Sequence, residues 1–256
     1  MKAKKSYGQH FLNSESIARR IAQSLRPNGS FARVLEVGPG KGMLTRFLLE
    51  EGYDLTVVEA DPDMVEYLYD HFPGLREDIV LANFLRLDLQ ELFQGSPFGL
   101  VGNFPYNISS QILFRMLEYQ ELIPEMVGMF QKEVAERVVA EPGSKTYGVI
   151  SVLIQAYYRG EYLFGVGRKK FNPPPKVESA VIRLTRLARP NLDCDEKLFR
   201  SIVKIAFGQR RKMLRNTMKG FLKGDPLLKD PFFEQRPERL SVGDFVELTK
   251  TIEKHR

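Results

Sequence analysis

The apolar residues of this sequence change their period along the chain. A short apolar run at residues 32–37 ends in a glycine-rich turn, and apolar positions 43, 44, 47 and 48 follow at helical spacing. A β-branched run at residues 55–59 is followed in the same way by positions 64, 65 and 68. Further strand candidates lie at 79–82, 99–102, 126–131 and 180–184, and residues 110–119 have a helical pattern. This alternation predicts an α/β, Rossmann-like domain built on a parallel sheet.

The pattern changes after Arg186. Residues 188–193 have the composition of a linker, and the remainder shows helical periodicity with turn signals at Gly220, 224–226 and Gly243. We therefore predict two domains, a Rossmann-like domain at residues 1–186 and a small all-helical domain at residues 187–256.

The composition excludes several classes of protein. With 256 residues and 43% hydrophobic content the chain can bury its own core. It has no apolar run near the roughly 20 residues of a membrane span, and no apolar signal-peptide core follows the N-terminal lysines. We therefore expect a cytoplasmic protein with no membrane partner. Cys194 is the only cysteine and there are three histidines, so we expect neither a disulfide nor a metal site.

Basic residues are concentrated in one part of the chain. The net charge of +6 favours a polyanionic partner, and residues 197–223 contain nine basic residues and no acidic one. We predict that Arg210, Arg211, Lys212 and Arg215 lie on a helix beside Phe207 and contact nucleic-acid phosphates. The alternative is an ordinary solvated helix face.

A glycine turn after the first strand marks a candidate cofactor site. Gly38, Gly40 and Gly42 follow Glu36, and the third glycine stands one position earlier than in a nicotinamide-binding turn. Glu59 lies 19 residues beyond Gly40, at the end of the next strand, where a carboxylate can bind ribose hydroxyls. Together these features favour S-adenosylmethionine. The alternative is a purely structural turn and a solvated acidic side chain.

The segment Asn103-Phe104-Pro105-Tyr106 follows a strand candidate and is the candidate catalytic segment. The N6 amine of adenine is a poor nucleophile because its lone pair is delocalised into the ring. The side-chain oxygen of Asn103 and the main-chain carbonyl of Pro105 can accept its two N–H bonds, and Tyr106 can stack on the base. The alternative is a turn with an asparagine cap and a buried aromatic ring.

Several motifs along the chain match one family. They are residues 9–12 (Gln-His-Phe-Leu), the 36–42 loop, Glu59, and residues 103–106, 131–137, 171–179 and 207–216. From residue 5 to residue 250 the sequence closely resembles the small-subunit ribosomal RNA adenine dimethyltransferases, the KsgA/RsmA family, which are related to the erythromycin-resistance methyltransferases. The resemblance implies dimethylation at N6 of two adjacent adenosines in a hairpin loop near the 3′ end of 16S RNA. It also implies S-adenosylmethionine as cofactor, the small ribosomal subunit as partner and a role in its biogenesis.

The resemblance further implies roles for single residues. Phe171 would stack on the target base near Tyr106; the alternative is that it anchors the proline-rich loop that follows it. The predicted cofactor contacts are His10, Leu12, Gly38, Gly40, Glu59, Asn83 and Asn103.

The sequence departs from the family pattern at three positions. His10 replaces the commoner asparagine, Phe104 replaces leucine, and Asn83 stands where the family usually has an aspartate that binds the adenine amine of the cofactor. An asparagine oxygen can still accept this bond but without charge assistance, which predicts weaker cofactor binding. Asp88, five residues further on, is a poorer substitute.

Three other functions compete with this interpretation. An erythromycin-resistance methyltransferase would share the first half of the chain but act on large-subunit RNA, and residues 171–179 and the basic stretch disfavour it. A ribosome-assembly or transcription factor would bind RNA without turnover, and methylation of adenine in DNA is a third alternative. We expect a monomer.

Overall fold

The computed structural model describes Lys4 and residues 7–188, 192–223 and 225–255. Residues 189–191 of the predicted linker and Gly224 of a predicted turn lie outside the described residues.

Within these ranges the strands are β1 (Phe11–Leu12), β2 (Arg33–Val37), β3 (Asp54–Glu59), β4 (Ile79–Leu81), β5 (Phe98–Asn103), β6 (Glu125–Gln131), β7 (Tyr158–Val166), β8 (Phe171–Asn172) and β9 (Ser179–Arg186). The α-helices are α1 (Glu15–Ala22), α2 (Met43–Glu50), α3 (Pro62–His71), α4 (Leu89–Phe93), α5 (Ser109–Glu118), α6 (Lys132–Val138), α7 (Val149–Gln155), α8 (Glu196–Gly208), α9 (Leu214–Thr217), α10 (Lys219–Leu222) and α11 (Val242–Lys254). Short 3₁₀ helices lie at Pro73–Asp78, Phe84–Arg86, Arg168–Lys170, Pro226–Lys229, Pro231–Glu234 and Pro237–Arg239.

Seven of the described strands form one sheet in the order β4-β3-β2-β5-β6-β9-β7. β2 pairs in parallel with β3 and with β5, while β4 and β6 extend the parallel part on either side. The predicted parallel sheet is therefore confirmed for five strands, whereas β9 runs antiparallel to β6. The sequence pattern did not predict the edge strand β7, because glycine and polar residues interrupt its apolar alternation. β1 and β8 form a separate two-stranded ribbon.

The strand order places a crevice beside β2. The chain continues from β2 to its neighbour β3 on one side and later adds β5 on the other side, and in such folds ligands bind outside the carboxyl ends of the strands at this switch point. The core below it is apolar: Leu44, Phe47 and Leu48 of α2 join Val34 of β2 and Val57 of β3 in one buried cluster. Burial of each such side chain is worth about 1.5–3 kcal/mol.

The chain divides into two compact units. Unit 1 contains Met1–Ala135 and Arg159–Arg186, and unit 2 contains Glu136–Tyr158 and Leu187–Arg256. The predicted boundary after Arg186 coincides with a boundary between the units, but residues 136–158 belong to unit 2 and not to the Rossmann-like unit. Packing explains this: α7 contacts α8, and Tyr147 meets the ring of Phe207 edge-on, with 6.0 Å between ring centroids.

Among the described residues, no helix is long and apolar enough to cross a lipid bilayer. In the same part of the chain, no cluster of three or more His, Cys, Asp or Glu side chains is arranged to hold a metal ion.

Candidate active site

A cavity of about 310 Å³ lies at the carboxyl ends of β2, β3 and β5, within unit 1. Its walls come from residues 7–12, 36–41, 43–44, 58–60, 82–85 and 103–108. If 36–41 and 43–44 are counted together, the fold therefore brings together five segments that are separate in the sequence. Of the predicted site residues, the walls contain His10, Leu12, Gly38, Gly40, Glu59, Asn83, Asn103, Pro105 and Tyr106.

The glycine turn forms one wall of the cavity. Gly38, Gly40 and Gly42 have φ angles of +70°, +55° and +74°, a region that other residues rarely adopt. A side chain at Gly40 would also place its Cβ 3.0 Å from the ring of Phe11. Glycine at this position lets the main chain approach both Phe11 and whatever occupies the cavity.

Glu59 at the end of β3 is bound to this turn. Gly40 N donates to Glu59 Oε2 at 3.1 Å, and Ala60 N and Asp61 N donate to Oε1 at 2.8 and 2.9 Å. Desolvation raises the pKa of Glu59, although these three N–H bonds act in the opposite direction. Oε1 already accepts two bonds and Oε2 accepts one, so Oε2 keeps a lone pair for a further hydroxyl donor.

Glu36 at the end of β2 is a second buried carboxyl group in the cavity wall. Its Oε2 accepts from the hydroxyl of Thr45 at 2.6 Å. Desolvation raises the pKa of Glu36 to about 8, against the opposing effect of the Thr45 bond and with a further contribution from the charge of Glu59. At neutral pH Glu36 therefore holds a proton and becomes available as a carboxylate when a cation enters.

Asn103 is the last residue of β5 and faces the N-terminal segment. Its Nδ2 donates to the main-chain oxygen of His10 at 3.0 Å, which leaves Oδ1 to accept from a substrate amine. The carbonyl of Pro105 accepts from Ile108 N at 3.2 Å. This turn bond uses one of its two lone pairs, so it can still accept from a substrate.

Phe104 lies at the base of the cavity wall and is 1% exposed. Its ring lies against Gly102 of β5 and Gly128 of β6, where an added Cβ would come within 2.7 and 2.3 Å of ring carbons. It also packs on Phe130, with 5.1 Å between ring centroids. The larger ring in place of leucine thus anchors the catalytic segment to two neighbouring strands.

Tyr106 is partly exposed at the cavity wall. Its ring stacks on the ring of His10 with centroids 5.5 Å apart and planes inclined by 28°, and its hydroxyl is hydrogen-bonded to the hydroxyl of Ser179. Desolvation raises the pKa of Tyr106, although the Ser179 bond opposes this. Tyr106 is therefore a neutral phenol at physiological pH.

A polar network that the sequence patterns did not indicate holds the N-terminal segment over the cavity. Lys4 Nζ lies 2.7 Å from both Asp61 Oδ1 and Asp63 Oδ2, and Gln9 Nε2 donates to Asp61 Oδ2 at 2.9 Å. Desolvation raises the pKa of Asp61, but the hydrogen bonds from Lys4 and Gln9 outweigh it and the pKa lies below its usual value. No periodicity or motif connects residues 57 positions apart, so only the fold reveals the network.

Phe171 does not occupy the predicted stacking position. It is 3% exposed, belongs to the core cluster and is absent from the described residues that line the cavity. Its strand β8 pairs with β1, opposite Leu12, and apolar burial draws the ring into the core. The structure thus places the Phe171 ring in the core cluster, and stacking of this ring on the target base stays a prediction.

Comparisons with known proteins identify the family of this chain. The family model described as "Ribosomal RNA adenine dimethylase" matches residues 1–253. The chain is 56% identical to the "Ribosomal RNA small subunit methyltransferase A" of Parabacteroides distasonis, over 100% of this chain and 96% of that protein. The chain belongs to the ribosomal RNA adenine dimethylase family.

Solved structures show the same fold for this family member. A dimethyladenosine transferase from Plasmodium falciparum superposes with a TM-score of 0.80 at 24% identity, covering 96% of this chain and 98% of that chain. The 23S rRNA methyltransferase ErmE superposes with a TM-score of 0.69 at 28% identity, covering 94% and 99% of the two chains. The S-adenosylmethionine-dependent methyltransferase fold predicted from the sequence is confirmed.

Asn83, the family member's main departure at the cofactor site, lies in the cavity wall and caps a 3₁₀ helix. Its Oδ1 accepts from Leu85 N at 3.0 Å. The capping bond uses one lone pair of the oxygen that is predicted to accept the cofactor amine, so one neutral lone pair is left, and the other terminal atom of the side chain is an NH₂ donor. An aspartate could cap with one oxygen and accept with the other.

The prediction that the basic residues of unit 2 lie on one helix is wrong. α8 ends at Gly208, and Lys212 N donates to Gln209 O at 2.8 Å to close a turn at residues 209–212. The helix cannot continue through them, because Gln209 leaves the helical conformation with φ −127° and ψ 50°. Phe207 anchors the end of α8 against Phe245, with 5.9 Å between ring centroids.

Two of the four predicted RNA contacts are engaged inside unit 2. Arg210 donates to Ser144 O at 3.1 Å and lies 3.9 Å from Glu238, and Arg215 lies 3.4 Å from Glu234. Arg211 and Lys212 are exposed at the surface of the turn. The turn therefore presents two cations outward and uses Arg210 to hold itself in place.

Proposed function

We propose that this protein transfers methyl groups from S-adenosylmethionine to N6 of two adjacent adenosines in a hairpin loop near the 3′ end of 16S RNA, and acts in the cytoplasm during small-subunit biogenesis. The observation that carries the proposal is the orientation of Asn103. Its amide nitrogen is held by His10 O, so its oxygen is left to accept from a substrate amine in the cavity that Asn103 lines.

The cavity fits this cofactor. Glu59 Oε2 is oriented to accept from a ribose hydroxyl, the left-handed glycines bring the main chain close to the cavity, and Glu36 would lose its proton to become a carboxylate near the cationic group. His10 and Leu12 close the cavity from the N-terminal segment, and Asn83 faces the adenine end. When bound, the cofactor supplies a sulfonium methyl group that is already activated for in-line displacement.

The residues of the catalytic segment position the amine. Asn103 Oδ1 and the Pro105 carbonyl accept the two N–H bonds of N6, which directs the nitrogen lone pair towards the methyl group. Tyr106 stacks on the target base after that base has left its stacked position in the RNA. The methylated amine is cationic and loses its proton to water, so no side chain has to act as a strong base.

Unit 2 provides an RNA-binding surface in this proposal. Arg211 and Lys212 are exposed cations, and Arg215 continues the surface in α9. Such contacts neutralise phosphates and position the RNA, and the bases are read elsewhere. Arg210 contributes mainly by fixing the turn.

A large-subunit substrate is the second candidate, because ErmE has the same fold. Sequence favours the small subunit: the P. distasonis relative is 56% identical over this whole chain, whereas ErmE is 28% identical.

One experiment separates these functions. Purified protein and methyl-labelled cofactor are incubated with undermethylated small subunits, naked 16S RNA, large subunits and DNA, and the modified bases are mapped. We expect dimethyladenosine at two adjacent positions of the small-subunit RNA. Methylation of large-subunit RNA or of DNA alone, or RNA binding without transfer, would refute the proposal. Sedimentation in the same buffers tests the expected monomer.

A further inference from the structure

Two residues from separate segments hold the Tyr106 ring. The hydroxyl of Ser179 bonds to its hydroxyl, and His10 stacks on one of its faces at a centroid distance of 5.5 Å. The sequence assigned neither role: Ser179 only ended a motif, and His10 was a predicted cofactor contact.

Ser179 is a rigid attachment point. It is the first residue of β9, pairs with Gln131 of β6 and has no solvent exposure. Tyr106, by contrast, lies in the turn between β5 and α5. The hydroxyl bond therefore ties a side chain of this turn directly to the sheet.

His10 is fixed at two further points. Its main-chain oxygen accepts from Asn103 Nδ2 at 3.0 Å, and its Nδ1 lies 2.8 Å from the carbonyl oxygen of Pro173. Because that carbonyl can only accept, Nδ1 carries the hydrogen of this bond. The ring that stacks on Tyr106 thus has a defined orientation.

We propose that Ser179 and His10 are positioning residues that fix the Tyr106 ring before the substrate arrives, so that the ring face turned away from His10 receives the target adenine. This inference rests on the proposed function. A ring that is already fixed loses no rotational freedom when the base stacks on it, which favours the productive geometry. Among the described residues Ser179 does not line the cofactor cavity, so it acts through Tyr106.

A double-mutant cycle tests the role of Ser179. We expect Ser179→Ala to lower kcat/KM for undermethylated small subunits about tenfold, the effect of losing one ordering hydrogen bond, with cofactor Kd unchanged. In a Tyr106→Phe background, which lacks the hydroxyl but keeps the ring, we expect Ser179→Ala to change the rate less than about twofold. Equal losses in both backgrounds would show that Ser179 does not act through Tyr106.

Thr249→Val is the matched control. Thr249 is a fully buried residue of unit 2 whose hydroxyl donates to Phe245 O at 2.7 Å. The variant therefore loses a buried hydroxyl that is distant from Tyr106 in the sequence and is bonded to a different partner. We expect a similar fall in Tm and an unchanged kcat/KM. A rate loss equal to that of Ser179→Ala would mean that reduced stability alone explains both variants.

A measurement without turnover tests the ring itself. NMR of protein with labelled tyrosine rings, with the Tyr106 signals assigned by their loss in Tyr106→Phe, should show a slowly flipping ring in the wild type. We expect faster flipping in His10→Ala, which removes the ring stacked on Tyr106; the Tyr106 hydroxyl lies on the flip axis, so the role of Ser179 is tested by the double-mutant cycle. Unchanged flipping would overturn the positioning role even if the wild type methylates small subunits, whereas absent methylation with restricted flipping would refute only the proposed function.

Discussion

The amide nitrogen of Asn103 donates to the main-chain oxygen of His10 at 3.0 Å, so the segment predicted to cover the cofactor also sets the rotation of the catalytic amide. Asn103→Asp would place a second acceptor against that carbonyl. We expect both Asn103→Asp and Asn103→Ala to lower kcat by about a hundredfold to a thousandfold, as is typical when an oriented polar group is removed from a reacting centre. Single-turnover methylation of small subunits measures this. Near-wild-type rates for Asn103→Asp would show that the bond to His10 does not matter.

Cofactor binding should release a proton from Glu36. Its pKa of about 8 means that it is largely protonated at pH 7, and a bound cation stabilises the carboxylate. Calorimetry in phosphate and in Tris buffer, which differ in ionisation enthalpy, should report a net release that disappears in Glu36→Gln. Release that persists in the variant would assign the proton to another group, such as Glu59.

The same carboxyl group should affect stability. Because its native pKa exceeds the ordinary value of 4.5, the folded state binds more protons than the unfolded chain between pH 4.5 and 8. The free energy of unfolding therefore falls as the pH rises through this window, by about 1.4 kcal/mol for each unit of raised pKa. Urea titrations at pH 5, 6.5 and 8 should show that Glu36→Gln has the flatter dependence. An identical slope in the two proteins would contradict the assignment.

Asn83→Asp should tighten cofactor binding. One carboxylate oxygen would keep the capping bond from Leu85 N, and the other would accept the adenine amine with charge assistance. We expect Kd to fall about threefold to tenfold. Asn83→Ala is the comparison and should bind more weakly than the wild type. Clearly weaker binding by Asn83→Asp would reject the placement of Asn83 at the adenine.

Reversing Arg211 and Lys212 to Glu should weaken RNA binding without changing cofactor Kd. Loss of two phosphate contacts reduces the slope of log K against log salt by about 1.4–1.8. Lys229→Glu with Arg236→Glu is the matched control, since both side chains are exposed in unit 2 and the charge change is the same. Equal weakening by the two double variants would indicate a net-charge effect. Arg210 is unsuitable, because its reversal would oppose Glu238.

Local periodicity predicted the strands β2, β3, β5 and β6 because both faces of these strands are buried, which produces apolar runs. It also located the glycine turn, Glu59 and the catalytic segment, since each follows such a strand. The edge strand β7 has no such run. The bond between Lys4 and Asp61 and the bond between Ser179 and Tyr106 join segments that are distant in the sequence. The periodicity of apolar residues reports on local structure and does not predict such contacts.

The basic turn shows a different limit. The charge density at residues 197–223 predicts a basic surface, but the same stretch was wrongly predicted to be helical where Gln209 ends the helix. Composition does not reveal that Arg210 is bound to Ser144, nor that burial of Phe171 outweighs its exposure at the site. Both outcomes are set by tertiary packing.

The Phe104 ring makes the order of substitutions matter during evolution. At Gly128 an added Cβ would lie 2.3 Å from this ring and 2.7 Å from the ring of Phe130, so alanine needs both side chains to give way. At Gly102 the main-chain oxygen of Val37 lies 2.7 Å from an added Cβ, so shortening the ring does not help. Substitution of Gly128 is therefore limited by two side chains, whereas substitution of Gly102 is limited by the main chain of the sheet itself.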